Sequence, residues 1–498
     1  MTASSLDAAS RTFDRHYIGG VWTRARSSSM FVAINPATEE PIGAVPAADA
    51  AVAEFAITAA RQAFDEGPWP HTTPQERASV LRAMATIMRR RQRELVELDI
   101  AETGRARYLA ESIFVDTPIS HWEDMANRVL PTFAFAEPQE PFISAGGIGQ
   151  GVVRQQPYGV AVLVTPFNAP FFLGAIKSAA ALAAGCTVVL KPSPLTPISS
   201  FLLAEIADEV GLPPGVFNVI CGDVDAAQVL TAHESVDIVS FTGSGEVGKS
   251  IYSQAAPTVK KLILELGGKS ANIVCEDADL TKVVPDVLAN LTVNCGQGCA
   301  LMTRTVVHES VYDDLVAALL TTVKDVSIGD PNDPAIMMGP LISDQHRERV
   351  ERLIAKGVDE GATLAFGGRR PQKPNRGFFL EPAVFIDVEN SMSVAREEIF
   401  GPVTAVIKFS NDDEAIRLAN DSAYGLAGGV WSRDTFRAYT IGTRLRVGYV
   451  SINGGHSGLS PHSAFGGFKA SGFGREWGSY GLSEFLQTTT LAWPMASG

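Results

Sequence analysis

The spacing of apolar residues changes along the chain and predicts two kinds of structure. Between Ala48 and Thr103, apolar residues recur at intervals of three and four, which predicts packed helices that end at Gly104 as a cap. From Gly159 onward, short β-branched runs alternate with helical stretches; the runs are GVAVLVTPFN, CTVVLKPSP, VFNVICGD and VDIVSFTGSG. Strands that alternate with helices in this way predict a parallel, doubly wound sheet.

The same alternation resumes after Glu265 and predicts a second unit of the same kind. ANIVCED and RTVVHES read as strands, and helical stretches follow them over residues 282–291 and 313–326. The predicted fold class is therefore α/β, with two Rossmann-like, doubly wound parallel-sheet domains. The first domain would span residues 1–260 and the second residues 261–474.

Two segments fit neither of these domains. Residues 131–156 carry Pro and Gly with little helical periodicity, and EFLQTTTLAW, within residues 475–498, reads as a strand. Because exposed strand edges tend to be covered, we expect the two segments to pair as a small β oligomerisation arm between subunits. The first segment would interrupt the first domain.

Composition and charge narrow the possible partners. The 498 residues include 55 acidic and 41 basic side chains, a formal net charge of −14, which argues against nucleic acid or an acidic membrane surface as the main partner. The most apolar region, residues 159–190, is interrupted by Pro166, Pro170 and Lys177, so we expect no membrane span. The first twenty residues lack the apolar core of a signal peptide, which favours a cytoplasmic protein.

The cysteines indicate catalysis rather than cross-linking or metal binding. They are odd in number and scattered, without a C-x-x-C pair or zinc-like spacing, at Cys186, Cys221, Cys275, Cys295 and Cys299. Free thiols in a reducing compartment are the simplest interpretation. We therefore expect no metal site, and any cysteine chemistry should be nucleophilic.

A glycine-rich turn matches the dinucleotide-binding fingerprint. The sequence from Gly243 to Gly248 is a literal G-x-G-x-x-G after a predicted strand, and Glu265 lies 20 residues beyond Gly245. On one interpretation Glu265 holds the adenosine ribose of a dinucleotide. On another the turn is a phosphate-binding helix N-terminus and Glu265 has a different task, and a third leaves the turn purely structural.

Cys299 stands out among the five thiols because of its neighbours. In VNCGQGCALMTR, two glycines flank Gln297 immediately before Cys299, so that no side chain from Gly298 crowds the sulfur. A nucleophile needs such access. Taken alone, an inert buried cysteine would be the ordinary interpretation.

Eight segments of the chain resemble the aldehyde dehydrogenase superfamily. They occur in the order expected for that family, cover nearly the whole chain, and read NPATEE (35–40), TPFNAP (165–170), KPSPLTP (191–197), FTGSGEVG (241–248), ELGGKSANI (265–273), NCGQGC (294–299), EEIFGPV (397–403) and FGGFKASGFGRE (465–476). The resemblance implies a dinucleotide-binding first domain and a second domain that carries the catalytic cysteine.

The resemblance also implies a role for each catalytic residue. Cys299 would attack the aldehyde, Asn168 and the backbone N–H of Cys299 would bind the oxyanion, and hydride would pass to a nicotinamide dinucleotide. Glu265 becomes the general base that hydrolyses the acyl thioester rather than the residue that holds the ribose. Lys177 and Glu476 resemble a proton relay that some members use.

The cofactor is expected to be NAD, although NADP is not excluded. NAD-preferring members commonly place a glutamate at the position of Pro194, and the family usually has a non-glycine at the position of Gly245. Ser244 should still contact the pyrophosphate, while Lys191 would bind the adenosine ribose. The full expected set is Thr165, Pro166, Phe167, Lys191, Ser193, Pro194, Gly222, Gly243, Ser244, Val247, Glu265, Leu266, Gly267, Glu398 and Phe400.

Small and apolar residues stand where the family often has larger aromatic ones, which predicts a roomy apolar tunnel for an aromatic or aliphatic aldehyde. The expected lining is Ala169, Leu173, Ile176, Gly298, Ala300, His456 and Phe465. Two alternatives stay open: a CoA-acylating enzyme, which usually lacks the glutamate at 265, and a catalytically silent structural relative. The resemblance implies a homodimer or a homotetramer.

Overall fold

The fold is built on two large sheets with helices around them. The computed structural model describes residues 11–25, 28–144, 147–455 and 459–495. Within these ranges the first sheet has eight strands, in the spatial order Gly472–Phe473, Lys261–Glu265, Ile238–Thr242, Val160–Val164, Thr187–Lys191, Phe217–Val219, Arg15–Ile18 and Val21–Arg24.

The central strands of this sheet are parallel and buried on both faces. Every residue of Val160–Val164, Thr187–Lys191 and Ile238–Thr242 is buried, which explains why these segments read as continuous apolar runs rather than alternating ones. The strand Val160–Val164 is followed in sequence by Thr187–Lys191 on one of its sides. The later strand Ile238–Thr242 pairs with its other side, so the direction of strand addition reverses at Val160–Val164. The crevice for a ligand in such sheets lies at this reversal, beyond the carboxyl ends of the strands.

Helices cover both faces of the first sheet. Gly104 ends one of them in the left-handed conformation with φ of 69°, as the sequence predicts. The helices of this domain are Ala50–Asp65, Pro74–Arg90, Gln92–Thr103, Arg107–Leu109, Asp116–Asp124, Leu130–Thr132, Pro170–Ala184, Ile198–Val210, Val224–Ala232, Gly245–Ala255 and Gly478–Glu484, with π-helical turns at Ala110–Val115 and Met125–Val129.

The second sheet has seven strands and is parallel except at one edge. Its order is Thr363–Gly367, Ala383–Ile386, Val403–Phe409, Arg304–His308, Ala271–Val274, Ala427–Trp431 and Tyr449–Ile452, and only the first of these is antiparallel to its neighbour. Its helices are Leu280–Thr292, Tyr312–Thr322, Asp344–Asp359, Ser393–Arg396, Asp412–Asn420 and Thr435–Gly442. The predicted α/β class with two doubly wound sheets is confirmed.

Three smaller sheets complete the fold of the described residues. One joins Arg11–Thr12, Met30–Asn35, Glu40–Ala48 and Cys221–Gly222, and a second joins Tyr424–Gly425 and Phe468–Lys469. The third is an antiparallel sheet of Ala136–Ser144, Gly147–Pro157 and Leu486–Pro494. In this third sheet the two segments of the expected arm pair with each other inside one chain.

Two boundaries differ from those expected from the sequence. The strand Lys261–Glu265, expected at the start of the second domain, lies in the first sheet because it pairs with Ile238–Thr242. Residues 475–485 were grouped with the arm, but the helix Gly478–Glu484 packs on Pro170–Ala184, and Leu482 joins the core of the first domain. No helix in the described part of the chain is long and apolar enough to cross a membrane.

Candidate active site

The two sheets meet with opposite ends facing each other. Asn168 and Gly243 follow the carboxyl ends of strands in the first sheet, whereas Cys299 and Glu398 precede strands of the second sheet. The side-chain Nδ2 of Asn168 donates to the carbonyl of Gln297 at 3.0 Å, which joins the two groups directly. The turn of Asn168 and the loop of Cys299 are therefore in direct contact.

The loop that carries the nucleophile has an unusual backbone. After the helix Leu280–Thr292, Asn294 and Cys295 adopt left-handed φ values of 51° and 53°, and Gly296 follows with φ of 69°. Such conformations are costly for residues other than glycine and persist only where neighbours fix them. The side chain of Gln297 contributes, because its Nε2 donates to the carbonyl of Asn294 and its Oε1 accepts from the N–H of Ile342, both at 3.0 Å.

Cys299 is more accessible than the other thiols. It is partly buried, whereas Cys186, Cys221, Cys275 and Cys295 are buried, and all five are free. Burial raises the pKa of the Cys299 thiol to about 12, and the carboxyl groups of Glu398 and Glu265 contribute to the increase. A proton must therefore be removed before this sulfur can act as a nucleophile.

Glu265 ends the strand Lys261–Glu265 and is almost fully buried, with 2% of its surface exposed. Neither carboxyl oxygen has a hydrogen-bond partner among the described residues. Burial raises the pKa of this carboxyl well above its usual range, and the negative charge of Glu476 adds to the increase. A carboxyl in these surroundings is suited to accept a proton near neutral pH.

Lys177 and Glu476 form a buried ion pair beside Glu265. The ammonium Nζ of Lys177 contacts Oε1 of Glu476 and donates to Oγ of Ser240 at 2.9 Å. Lys177 lies on the helix Pro170–Ala184 and Ser240 on the strand Ile238–Thr242. The expected relay pair is thus brought together next to the expected base.

The glycine-rich turn opens the helix Gly245–Ala255. Ser244 caps that helix, its Oγ accepting from the N–H of Val247 at 3.3 Å. A Cβ on Gly243 would meet the Phe241 ring at 2.4 Å and one on Gly248 would meet Leu266 at 2.6 Å, whereas one on Gly245 would meet nothing within 4 Å. The middle glycine of the fingerprint therefore has no steric reason to be glycine.

Lys191, expected to bind the adenosine ribose, lies where two neighbouring strands of the first sheet end. Lys191 ends the strand Thr187–Lys191, and its carbonyl accepts from the N–H of Thr165 at 3.1 Å. Burial lowers the pKa of Lys191. Ser193 and Pro194 lie partly exposed just beyond it, and Gly222 is packed so closely that a Cβ there would meet Ala226 at 2.5 Å.

Glu398 and Phe400 lie on the opposite wall. The carboxylate Oε1 of Glu398 accepts from the N–H of Gly268 at 3.0 Å, and a Cβ on Gly267 would meet Oε2 at 2.2 Å. The ring of Phe400 packs edge-on against that of Phe167, with centroids 5.8 Å apart. Glu398 is thus held against Gly267 and Gly268, shortly after Glu265. Pro166, beside Phe167, is partly buried.

An apolar cluster contains four of the seven residues expected to line the substrate pocket. Ala169, Ile176, Leu173 and Phe465 belong to it, together with three residues that sequence reasoning missed: Phe114, Phe172 and Trp477. The ring of Trp477 stacks on that of Phe465 with centroids 4.5 Å apart. Gly298 and Ala300 flank Cys299 and are partly exposed, and His456 lies outside the described residues.

Comparison with known proteins decides the family. The model of the aldehyde dehydrogenase family matches residues 22–491. The chain belongs to the aldehyde dehydrogenase family. Among solved structures, an aldehyde dehydrogenase from Mycobacterium tuberculosis complexed with NAD⁺ is 41% identical, with a TM-score of 0.94 over 98% of this chain and 100% of that one.

Two other similar solved structures are aldehyde dehydrogenases described with different aldehydes. The betaine aldehyde dehydrogenase of Staphylococcus aureus, complexed with NAD⁺, is 35% identical, with a TM-score of 0.95 over 98% of this chain and 97% of that one. A mutant of aldehyde dehydrogenase C from Pseudomonas syringae, complexed with NAD⁺ and octanal, is 37% identical, with a TM-score of 0.91 over 97% and 98% of the two chains.

Sequence reasoning also missed polar residues that surround the nucleophile of this aldehyde dehydrogenase. Asn294 and Gln297 lie inside the NCGQGC segment, so their proximity to Cys299 was a usable signal. Phe172 lies three positions after Ala169 on the same helix, and helical spacing would have found it. Arg105 carries no such local signal, since Asn168 and Asn294, which it binds, are distant in sequence.

Proposed function

We propose that this aldehyde dehydrogenase oxidises an aldehyde to a carboxylic acid, with NAD as hydride acceptor and water as the final nucleophile. The observation that carries the proposal is the convergence of three groups at the crevice between the sheets. Asn168 contacts the loop of Cys299, while Glu265 ends a strand and the ion pair of Lys177 and Glu476 lies beside it.

The crevice fits a dinucleotide. The helix after Ser244 begins with free space at Gly245, where N–H groups of a first helical turn bind phosphate. Lys191 would bind the adenosine ribose and Glu398 the nicotinamide ribose, with Phe400 and Leu266 packing nearby. When bound, NAD accepts the hydride from the former aldehyde carbon.

The first step on the protein is the attack of Cys299. Because its thiol pKa is raised to about 12, Cys299 must lose a proton to a base, and the nearby carboxyl of Glu265 is suited to accept it. The attack gives a tetrahedral oxyanion, for which Nδ2 of Asn168 and the N–H of Cys299 are the proposed donors.

The second step is hydrolysis of the acyl thioester on Cys299. Once Glu265 has passed the thiol proton on through the buried pair of Lys177 and Glu476, it removes a second proton from water, and its raised pKa makes it a stronger base than an exposed carboxylate. The buried pair of Lys177 and Glu476, with Ser240 bonded to Lys177, then offers a path for that proton.

A CoA-acylating reaction is the nearest alternative, and a silent structural relative is a more distant one. Glu265 favours hydrolysis, because the CoA-acylating branch usually lacks that glutamate. NADH formation that requires added CoA would contradict the proposal. The presence of Cys299, Glu265 and Asn168 together argues against a silent protein, and absence of turnover on a broad aldehyde panel would support one.

NAD rather than NADP is proposed as the cofactor, despite Pro194. Three related structures carry NAD⁺, which supports the choice. Asp223 lies near Lys191, and its acidic side chain does not favour an additional phosphate. The test is kcat/KM for the two cofactors, and a tenfold preference for NADP would overturn the choice.

An apolar aldehyde, aromatic or aliphatic, is proposed as substrate. The support is the apolar cluster of Ala169, Leu173, Ile176, Phe465 and Trp477. In a panel of octanal, benzaldehyde, betaine aldehyde and a short acidic semialdehyde, we expect the first two to have the highest kcat/KM. Higher values for the charged aldehydes would contradict the proposal.

The remaining proposals concern assembly and location. We propose a homodimer or homotetramer that uses the three-stranded arm, because Phe142, Ile143, Ile148, Leu491 and Trp493 are exposed on it. A cytoplasmic location is supported by the five free thiols.

The experiment that tests the chemistry most directly is Cys299→Ser across the aldehyde panel, because activity that survives it would exclude this mechanism.

A further inference from the structure

Arg105 is a buried arginine behind the active site with no assigned role. It follows the helix cap Gly104, and its side chain is fully buried. Its guanidinium Nη1 donates to both carboxylate oxygens of Asp99, at 3.0 and 2.8 Å, and Asp99 is also buried. Burial lowers the pKa of Arg105 to about 10, so the guanidinium keeps its charge at neutral pH.

The rest of the guanidinium binds the two segments that form the catalytic crevice. Its Nη2 donates to the backbone carbonyl of Asn168, and its Nε donates to Oδ1 of Asn294 at 3.2 Å. Asn294 completes the link, because its Nδ2 donates to the carbonyl of Asn168 at 3.0 Å and to that of Gln297 at 2.9 Å. One side chain thus joins the Asn168 turn to the loop of Cys299.

This link is made where the backbone needs support. Asn294 and Cys295 keep left-handed φ values, and Asn168 lies in a turn whose next residue, Ala169, has no side-chain cap for its helix. The planar fork of arginine can bind a carboxylate, a carbonyl and an amide oxygen at once, which a lysine ammonium cannot do in the same geometry. The ring of Phe114 lies 3.2 Å below the guanidinium carbon and closes the remaining face.

We propose that Arg105 is a positioning residue that acts through Asn168, holding its side-chain amide where the oxyanion forms on the substrate. The proposal rests on the proposed role of Asn168 as oxyanion donor. Asp99 in turn fixes the orientation of the guanidinium.

The test compares Arg105→Lys with Arg77→Lys. Arg77 is a matched control, since it is 5% exposed and donates to the carbonyls of Ala183 and Thr72 in the same domain. For each variant four quantities are measured: kcat and KM for the aldehyde, hydrolysis of p-nitrophenyl acetate without cofactor, alkylation of Cys299 by iodoacetamide, and the thermal midpoint. Ester hydrolysis passes through an oxyanion on Cys299, whereas alkylation does not.

For Arg105→Lys we expect aldehyde kcat and ester hydrolysis to fall about a hundredfold, the loss typical of a misplaced catalytic group. The alkylation rate and aldehyde KM should change less than about threefold on the same principle, because neither depends on the oxyanion. Arg77→Lys should leave all the rates within that range. A parallel fall of alkylation and ester hydrolysis would mean a general structural role and would overturn the proposal.

A double variant separates this proposal from the role of Asn168. If Arg105 acts through Asn168, then Arg105→Lys combined with Asn168→Ala should be no slower than Asn168→Ala alone, whereas independent effects would multiply. Multiplying effects would overturn the proposal for Arg105. Full ester hydrolysis in Asn168→Ala would instead overturn the role of Asn168. Should Arg105→Lys not fold, Asp99→Asn is measured in its place and should show the same separation of ester hydrolysis from alkylation.

Discussion

Cys299 holds its proton firmly in this structure, and that has a measurable consequence. With a thiol pKa raised to about 12, the thiolate fraction should rise about tenfold for each pH unit between 7 and 10. In cofactor-free enzyme, the rate at which iodoacetamide alkylates Cys299, followed by mass spectrometry, should rise in the same proportion. Cys299→Ser supplies the unlabelled control, and a rate that levels off below pH 9 would contradict the prediction.

Glu265 should control the release of the acid rather than the binding of the aldehyde. For Glu265→Gln we expect the steady rate of NADH formation to fall about a hundredfold or more, because the buried base that activates water is lost. Added hydroxylamine, which attacks a thioester without a base, should restore part of the turnover. If hydroxylamine has no effect, the step lost with Glu265 is the deprotonation of Cys299 rather than hydrolysis, and the prediction is wrong.

The residues proposed for the chemistry and for positioning differ in how far the sequence alone could reveal them. Cys299 and Glu265 lie inside short segments whose residue types carry the chemistry, so the motifs were enough to propose them. Arg105 lies 63 positions before Asn168 and 189 before Asn294, and only the folded chain brings the three together. Long-range hydrogen bonds of this kind leave no periodicity or spacing in the sequence.

Substitutions in the helix Gly245–Ala255 show which glycines of the glycine-rich turn are required. Gly245→Ala should keep the Kd for NAD within about threefold and not lower the thermal midpoint, because a Cβ there meets nothing and alanine reduces the entropy of the unfolded chain. Gly248→Ala should lower the midpoint, because its Cβ would meet Leu266 at 2.6 Å next to Glu265. Equal effects of the two substitutions would show that the open space at Gly245 is filled when the enzyme works.

Strands and helices were predictable where they alternate locally, and less so where pairing is distant. The central strands stand out because both faces are buried, which makes them continuous apolar runs. Gly472–Phe473 joins the first sheet only through antiparallel pairing with Leu264 and Glu265. Two residues that include a glycine have no strand signal of their own, so the sequence did not reveal this second strand partner of Glu265.

The arm exposes apolar side chains that a single chain leaves uncovered. Ile143 is 84% exposed, and Ile143→Asp should shift the assembly toward smaller species because a charge there opposes burial. Size-exclusion chromatography with light scattering measures the change. Val358→Asp, on the helix Asp344–Asp359 and 45% exposed, is the control and should leave the mass unchanged. An unchanged mass for both variants would exclude this part of the arm from the interface.

Stability of the molecule in mild acid should depend on His16. This histidine is 1% exposed on the strand Arg15–Ile18, and neither ring nitrogen has a hydrogen-bond partner among the described residues. Burial lowers its pKa from 6.5 to about 4, with Asp49 opposing the shift. Between these values the unfolded chain binds the proton and the folded chain does not, so stability falls as the pH drops from about 6.5 to about 4.

The stability lost through His16 is large enough to be measured against the contributions of the other titrating groups. Lowering the pKa of His16 from 6.5 to about 4 corresponds to a loss of about 3 kcal/mol in the free energy of unfolding between the ends of this pH window. Replacing the ring by an apolar side chain removes the group that titrates, so His16→Leu should lose less of its thermal midpoint between pH 7 and pH 4.5 than the wild type. His71→Leu is the control, because His71 is exposed and its replacement should leave the slope unchanged. Identical slopes for all three proteins would assign the acid sensitivity to other groups.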